Sequence, residues 1–193
     1  MDDSELVDRL AADLDSAFGD LVAGHQDRLY SIAMRVLGDR ADAEEVAQDA
    51  MVRAYRALAG YPSQRTRELR LRPWLAAIVV NVARNRRRRL SDRQPPLRLV
   101  LRDGEEQGRW GRERSAEMAA IDRIDRAGWA ELLATLPDRY RVPLVLRYVD
   151  DLSYPEMAEA LGRPEGTLKA QVHRGLVRLR DAWAARERRE ETA

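Results

Sequence analysis

Apolar residues recur every three or four positions through most of the chain, and this periodicity predicts helices. One apolar stripe runs from Leu21 to Leu37 and stops at Gly38. A second stripe precedes Gly60 and Pro62, which are residue types that end helices. The second stripe contains Ala43, Val46, Ala47, Ala50, Met51, Ala54, Tyr55 and Leu58.

Capping residues and a proline mark where the next helices begin. Asp42 followed by Glu45 has the spacing of a capping box, with Asp39 as a competing N-cap. Pro73 opens a third apolar stripe, which ends in a run of arginines. Residues 61–72 lie between these helices and are basic, so they predict a loop or a short helix.

Residues 91–115 interrupt the helical pattern, because they combine adjacent prolines with several glycines and few apolar side chains. This composition predicts a linker. Helical periodicity resumes near Ser115, so we expect an all-α fold with two small helical domains joined by a flexible linker. The expected divisions are an acidic N-terminal extension (1–17), a first domain (18–90), the linker (91–126), a second domain (127–185) and a charged tail (186–193).

Composition excludes several classes of chemistry. The chain has 193 residues, of which 45% are hydrophobic and 35% charged, as in a folded protein. It has no cysteine, so disulfides, thiolate metal sites and cysteine nucleophiles are excluded. Two histidines are too few for a histidine metal cluster. Since there is also no glycine-rich phosphate loop and no recognisable catalytic triad, we expect no enzyme, metal or cofactor.

The apolar runs and the N-terminus also bear on location. The longest apolar run, Trp74 to Val80, is far shorter than the roughly 20 residues that a membrane helix needs. The N-terminus is acidic where a signal peptide would be basic. We therefore expect a soluble, cytoplasmic protein without a membrane partner.

The net charge of +1 conceals two opposed blocks. Residues 1–60 carry 13 acidic side chains against 6 arginines, whereas residues 61–90 carry 9 arginines against one glutamate. Opposed blocks of this kind favour one surface for a polyanion and another for a basic partner.

The most specific local pattern lies in residues 153–174, which predict a helix-turn-helix. Ser153 and Glu156 have capping-box spacing, and Gly162 lies where the turn requires a positive φ. Leu168, Val172, Leu176 and Leu179 form the inner stripe of the second helix. A basic helical hairpin that merely faces solvent is the alternative to a DNA-binding unit. The polar face of the second helix carries Thr167, Lys169, Ala170, Gln171, His173, Arg174 and Arg178.

Two further polar faces allow more than one interpretation. Glu44, Glu45, Gln48 and Asp49 lie off the apolar stripe of their helix, and this acidic face either meets solvent or docks a basic partner. The helix after Pro73 is either a core helix with a solubilising basic end or a DNA-binding helix.

Together these segments resemble the extracytoplasmic-function (ECF) sigma factors, the smallest of the bacterial RNA polymerase specificity subunits. Residues 42–58 resemble the core-binding helix of that family and residues 72–89 its −10-element helix. Residues 136–144, 153–162 and 166–169 resemble its −35-binding domain. The resemblance extends over residues 18–90 and 127–185 in the family's order.

The resemblance implies three sets of binding residues. Glu45, Gln48 and Asp49 would dock on the clamp coiled coil of the polymerase's largest subunit. The −10 element, with one base flipped out into residues 61–72, would contact Tyr61, Arg65, Arg67, Arg70, Asn81, Arg84, Asn85 and Arg86. The −35 element would contact Arg163, Thr167, Lys169, Ala170, Gln171, His173, Arg174 and Arg178.

The function implied by the resemblance is promoter-specific initiation of transcription. The chain would bind core RNA polymerase, recognise the −10 and −35 elements and promote DNA melting, and an anti-sigma factor is a plausible further partner. Ala170 and Gln171 stand where the family often has Ser-Arg, so the −35 preference is open. Two alternatives are a sigma-like decoy that sequesters an anti-sigma factor and a dimeric helix-turn-helix regulator.

Overall fold

The structure is a computed structural model that describes residues 2–93 and 126–190. Every regular element in these two ranges is an α-helix, so the expected all-α class is confirmed. The linker expected over residues 91–126 lies outside the described residues except at its two ends, which belong to helices. The first range contains α1 (Asp3–Ala12), α2 (Leu14–Leu37), α3 (Arg40–Ala59), α4 (Ser63–Arg67) and α5 (Leu71–Arg93). The second range contains α6 (Arg126–Thr135), α7 (Asp138–Tyr148), α8 (Tyr154–Leu161) and α9 (Glu165–Glu190).

The N-terminal module, α1–α5, is centred on α2, α3 and α5, which pack against one another. Most buried positions of α3 are alanines, and small side chains let its neighbours approach closely. The polar side of α3 is consequently left facing outward. Fully buried side chains in this bundle include Leu21, Leu29 and Ile32 from α2, Ala50 and Ala54 from α3, and Leu75 and Val79 from α5.

Glycine and aspartate fix the junction between α2 and α3. Gly38 ends α2 in the left-handed region (φ 79°), as its position predicts. The carboxylate of Asp39 accepts a hydrogen bond from the backbone N–H of Asp42 at 2.8 Å and caps α3. The prediction that Asp42 is the capping residue is therefore wrong. Asp42 lies in the first turn, and its side chain accepts a hydrogen bond from Arg86 at 2.6 Å.

Tyr55 departs from the apolar stripe predicted for α3, because 37% of the residue is exposed. Its hydroxyl donates to Asp15 Oδ1 at 2.5 Å, and its ring meets that of Phe18 edge-on at 5.0 Å. A tyrosine with a polar partner at the surface keeps its hydroxyl out of the core. The inclusion of Tyr55 in the apolar stripe of α3 is therefore wrong.

The acidic N-terminal extension expected over residues 1–17 forms α1 and the first turn of α2. Leu6, Val7 and Leu10 are buried where α1 packs against α2 and α4. Burying each such side chain contributes about 1.5–3 kcal/mol. Asp3 also lies 3.4 Å from Nε2 of the buried His25. Helix α1 is therefore an integral part of the N-terminal module.

The C-terminal module, α6–α9, contains the expected helix-turn-helix in α8 and α9. Both hydrogen bonds of the predicted capping box form between Ser153 and Glu156. Gly162 ends α8 at φ 61°, as the turn requires. The predicted inner stripe of α9 is buried against α7 and α8. This burial turns the polar side of α9 outward.

Helices α7 and α9 approach closely at Gly175. A Cβ atom added there would lie 2.7 Å from Leu144 Cδ1 and 3.3 Å from Tyr140 Cβ. Both neighbours are buried and have little room to move. The missing side chain is thus what allows the contact between the two helices.

The two modules touch along one interdomain seam, in which α6 and α7 contact α2 and α8 contacts α5. None of the helices in residues 2–93 and 126–190 combines the length and apolarity needed to cross a bilayer.

Candidate polymerase and nucleic-acid interfaces

The outward face of α3 carries the residues predicted to bind the polymerase. Glu45 and Gln48 are exposed and Asp49 is half-buried. Asp49 pairs with Arg53 at 3.0 Å, one turn further along the same helix. Surface pairs of this kind contribute little to stability. A basic partner can therefore displace these surface ion pairs and bind the acidic face of α3.

Arg86 lies against this acidic face. Its Nη2 atom is 2.6 Å from Asp42 Oδ1 and 2.8 Å from Glu45 Oε2. The hydrogen bond with Asp42 is the main cause that raises the pKa of Arg86. A shallow cleft between α3 and α5 is lined by Arg86 with Asp49 and Asn85 among others. The structure thus places Arg86 with the polymerase-binding candidates, while its expected DNA contact stays a prediction.

A cluster of aromatic and cationic side chains forms where α4 meets α5. The guanidinium carbon of Arg65 lies 3.9 Å from the centroid of the Tyr61 ring. The rings of Tyr61 and Trp74 are 6.3 Å apart. Of the loop and the short helix that the sequence left open for this basic stretch, the structure contains the helix, α4, and α5 begins at Leu71, two residues earlier than predicted. Stacked aromatic and guanidinium groups of this kind suit an unpaired base.

The side of α5 that faces away from the bundle core presents a second group of candidates. Asn81 and Asn85 are exposed one turn apart, and Arg84 lies between them, half-buried. Burial is the main cause that lowers the pKa of Arg84, and the nearby charge of Arg163 lowers it further. The structure therefore brings Asn81, Arg84 and Asn85 onto one face.

Two other candidates for −10 binding are engaged by acidic side chains. Arg67 lies 3.6 Å from Asp8 of α1. Arg70 lies 3.1 Å from Glu156 and 3.1 Å from Glu159, both in α8. The basic surface of α4 and α5 is thus partly covered by carboxylates from α1 and the C-terminal module.

The outer face of α9 carries the candidates for −35 binding. Thr167, Lys169 and Arg174 are exposed there, and Ala170, Gln171, His173 and Arg178 are half-buried. Lys169 pairs with Glu165 at 3.5 Å. Arg163, in the turn before α9, donates to Gln171 Oε1 at 3.2 Å. All eight candidates therefore lie on the turn or on the polar side of α9.

Sequence patterns did not reveal Asp150, which is buried in the interdomain seam. Its side chain is 1% exposed and is bound by Arg28, with Nη2 2.6 Å from Oδ2. Arg72 donates to the backbone oxygen of Asp150 at 2.5 Å. Burial raises the pKa of Asp150, and the hydrogen bond from Arg28 opposes that rise. The partners are 122 positions apart, so no local spacing could have indicated them.

Arg141 is a second buried side chain that the sequence did not single out. Its Nη1 atom donates to the backbone oxygen of Val36 at 2.8 Å, and Nη2 donates to that of Leu136 at 2.6 Å. Burial lowers its pKa to about 10, which leaves it charged at neutral pH. Arg141 therefore ties the end of α2 to the end of α6. Its position within an apolar run, between Tyr140 and Val142, is the one hint in the sequence.

The residues described here show no group of three or more side chains that could hold a metal ion. The polar clusters instead consist of arginines, carboxylates and amides. Such groups suit contacts with nucleic acid and with proteins.

Comparison with known proteins agrees with this arrangement. The profile for Sigma-70 region 2 matches residues 21–93, and that for Sigma-70 region 4 matches residues 128–179. The ECF RNA polymerase sigma factor SigW of Bacillus subtilis (strain 168) is 32% identical in an alignment of 173 positions, which covers 85% of this chain and 87% of SigW.

Two solved structures share the fold. One is CnrH in complex with the cytosolic domain of CnrY, with a TM-score of 0.67 and 24% identity over 95% of this chain and 97% of CnrH. The other is the sigma factor RpoE in complex with the anti-sigma factor NepR from Bartonella quintana. Its TM-score is 0.62, with 19% identity over 85% of this chain and 94% of RpoE. These two structures show the fold. The two profiles and the match to SigW confirm the resemblance seen in the sequence, and the chain belongs to the ECF family of RNA polymerase sigma factors.

Proposed function

We propose that this chain binds core RNA polymerase and directs it to promoters by contacting the −10 and −35 elements with separate modules. The observation that carries the proposal is the presence of two basic surfaces on two modules. One is the outer face of α9, and the other is formed by α4 and α5. A single operator-binding unit would need only the first of these surfaces.

The −35 element is read by the first turns of α9 in the major groove. A recognition helix contacts base edges with its N-terminal residues and phosphates with later ones. Gln171 suits adenine, and Lys169 or Arg174 suits guanine or a phosphate. Because Arg163 holds the side-chain oxygen of Gln171, that amide is oriented before DNA arrives.

The −10 element is held as a single strand by α4 and α5. Flipping a base out of the duplex costs a few kcal/mol. Stacking one base on an aromatic side chain returns about 1–3 kcal/mol, and the cluster of Tyr61, Arg65 and Trp74 supplies aromatic surface for it. Asn81, Arg84 and Asn85 then follow the strand along α5. Binding of the unpaired strand thereby favours melting.

The acidic face of α3 docks on core polymerase, on the clamp coiled coil of its largest subunit. Charge complementarity of this kind sets orientation and association rate more than affinity. Each module binds weakly by itself, and the linker supplies effective concentration, so tight binding requires both promoter elements at a workable spacing.

We further propose that a protein partner sequesters the chain. The fold is shared with a sigma factor that was solved in complex with an anti-sigma factor. Such a partner would compete for the surfaces that contact polymerase and DNA.

The proposal is tested by adding the purified chain to bacterial core RNA polymerase on genomic DNA and sequencing the transcripts. We expect new start sites that share two upstream sequence elements at a narrow range of spacings. Output no different from that of core polymerase alone would overturn the proposal.

The polymerase contact is tested separately with the double variant Glu45→Lys and Asp49→Lys. Both side chains lie off the buried stripe of α3, so the fold should persist while co-purification with core polymerase falls. The matched control reverses two other exposed carboxylates, Glu5→Lys and Asp27→Lys. Equal retention of polymerase by both double variants would show that the α3 face is merely solvated.

A further inference from the structure

The turn between α8 and α9 holds an arginine beside the polar side of α9. Gly162 ends α8 in the left-handed region, and the backbone N–H of Arg163 donates to the oxygen of Ala158 at 3.3 Å. Pro164 follows with its φ fixed by its ring, and its backbone oxygen accepts from the N–H of Leu168 at 3.1 Å. The backbone that carries Arg163 is therefore fixed on both sides.

The side chain of Arg163 reaches Gln171, which lies in the second turn of α9. Its Nη1 atom donates to Gln171 Oε1 at 3.2 Å, and both residues are half-buried. A guanidinium has only donors, so the atom of the amide that faces it is the oxygen. The two N–H donors on Gln171 Nε2 are not used by this contact.

Arg163 differs from other cations of the candidate surfaces in what it contacts. Lys169 and Arg70 pair with carboxylates, whereas the side chain of Arg163 contacts a neutral amide. Among the residues that the structure describes, its guanidinium has no ion pair with a carboxylate. Because an amide carries no charge, the positive charge of Arg163 is not neutralised by this contact. Its remaining N–H groups can donate to a further acceptor.

The bases differ in the groups that they present in the major groove. Guanine presents the acceptors N7 and O6, whereas adenine presents the acceptor N7 and the donor N6. A glutamine that has no other partner suits adenine, because its oxygen accepts from N6 while its nitrogen donates to N7. In this chain the amide oxygen of Gln171 already accepts from Arg163.

The pair of Arg163 and Gln171 therefore presents donors to a base. An adenine would bring its N6 donor against the donors of Arg163 and would compete with them for the amide oxygen. A guanine meets no such conflict, because N7 and O6 accept from Gln171 Nε2 and from the guanidinium. Thymine presents a single acceptor, O4, and uses fewer of these donors.

We infer that Arg163 and Gln171 act as one donor unit that selects guanine over adenine at one position of the −35 element. This inference rests on the proposed contact of α9 with the −35 element, and it replaces the adenine preference of an isolated glutamine. Arg163 is then a specificity-determining residue, although it lies outside α9.

The inference is tested by selecting duplex DNA of random sequence on the full-length chain and sequencing the bound fraction. The test variant is Arg163→Met, which removes every donor of the side chain and keeps an unbranched chain that packs in the same place. Its matched control is Arg180→Met, which removes the same charge from an exposed position further along α9. A third variant, Gln171→Ala, identifies the base pair that the amide contacts.

We expect the unsubstituted chain to enrich guanine at the position where Gln171→Ala abolishes the preference. Arg163→Met should shift the ratio of guanine to adenine there about tenfold toward adenine, because the amide oxygen becomes free to accept from N6. Arg180→Met should leave this ratio unchanged. The double variant Arg163→Met and Gln171→Ala should show no adenine preference, since the shift requires the amide.

The inference is overturned if Arg163→Met retains the guanine preference, if the unsubstituted chain selects adenine at this position, or if no position depends on Gln171. If Arg163→Met loses helical circular dichroism, Arg163→Ala replaces it with the same expected shift. The selection contains no polymerase. A shifted base preference without promoter-directed transcription would support this inference and overturn the proposed function, and the reverse result would overturn this inference alone.

Discussion

The two basic surfaces of this chain differ in what surrounds them. On α9, Thr167, Lys169 and Arg174 project from a helix whose other side is buried, and the pair of Lys169 with Glu165 stays within that helix. On α4 and α5, by contrast, Arg67 and Arg70 contact carboxylates from other elements. Two surfaces of similar charge thus differ in how accessible they are to a binding partner. Counting charges along the sequence does not distinguish them.

The largest expected effect is on the stability of the C-terminal module, which carries the exposed basic surface of α9. Gly175→Ala should destabilise the C-terminal module by about 1–2 kcal/mol, because the new Cβ lies 2.7 Å from the buried Leu144 side chain. Gly166→Ala is the matched control in the same helix, since no atom lies within 4 Å of its added Cβ.

Gly166→Ala should stabilise the module by up to about 1 kcal/mol through helix propensity. Chemical denaturation followed by circular dichroism measures both variants. Equal effects would show that α9 does not depend on its close contact with α7.

The next prediction compares one arginine from each surface. Arg174→Ala should weaken binding to a duplex promoter fragment about tenfold, because one base or phosphate contact is worth about 1–3 kcal/mol. Arg67→Ala, which removes the same charge next to Asp8, should weaken it less than about threefold. The DNA affinities of both variants are measured by fluorescence anisotropy. The promoter DNA is one identified by sequencing the transcripts. A larger loss for Arg67→Ala would reverse the comparison.

A smaller effect separates two arginines of α5. Arg84→Ala should reduce the slope of log affinity against log salt concentration by about one unit for single-stranded DNA. Arg86→Ala should reduce the slope less, since Arg86 is paired with Asp42 and Glu45 and must leave them to contact the strand. Titrations at several salt concentrations give both slopes. An equal reduction for both variants would show that these two carboxylates do not compete with the DNA for Arg86.

The smallest effect is a difference in pH dependence between the modules. Burial is the main cause that lowers the pKa of His25, with Arg28 and Arg72 lowering it further and Asp3 and Asp150 opposing. The unfolded chain, with a histidine pKa of about 6.5, then binds more protons than the folded one. The stability of the N-terminal module should therefore fall as the pH decreases from about 7.5 to about 5.5.

Thermal unfolding at these two pH values checks this expectation. His25→Gln should remove most of the pH dependence. The control is the other histidine of the chain. The variant His173→Gln should retain the pH dependence of stability. A pH dependence that follows His173 would contradict the role given to His25.

Local sequence information predicted the elements well but not their contacts. The caps at Ser153 and Gly162 and the stripe from Leu168 to Leu179 follow from spacing alone, and the structure confirms them. The prediction for Tyr55 is wrong because its side chain is amphipathic. Its ring is compatible with an apolar stripe, whereas its hydroxyl requires a polar partner.

The seam itself could not have been predicted. Arg28 and Asp150 meet only because two modules approach, and a single sequence contains no measure of that approach. The exposure of the arginines proposed to bind DNA depends on such contacts, so residue type and helical face were necessary but insufficient to define the proposed surface.

The packing of α1 on α4 has a consequence for how promoter preference is set. Helix α1, in which Leu6 and Leu10 are buried, packs against α4 in the segment proposed to receive the flipped base, although neither residue belongs to the stretch shared with Sigma-70 region 2. A change in the size of these two side chains would tilt that segment without touching a nucleotide. If α4 receives the flipped base as proposed, start-site selectivity would then depend on a helix outside the proposed DNA-binding residues.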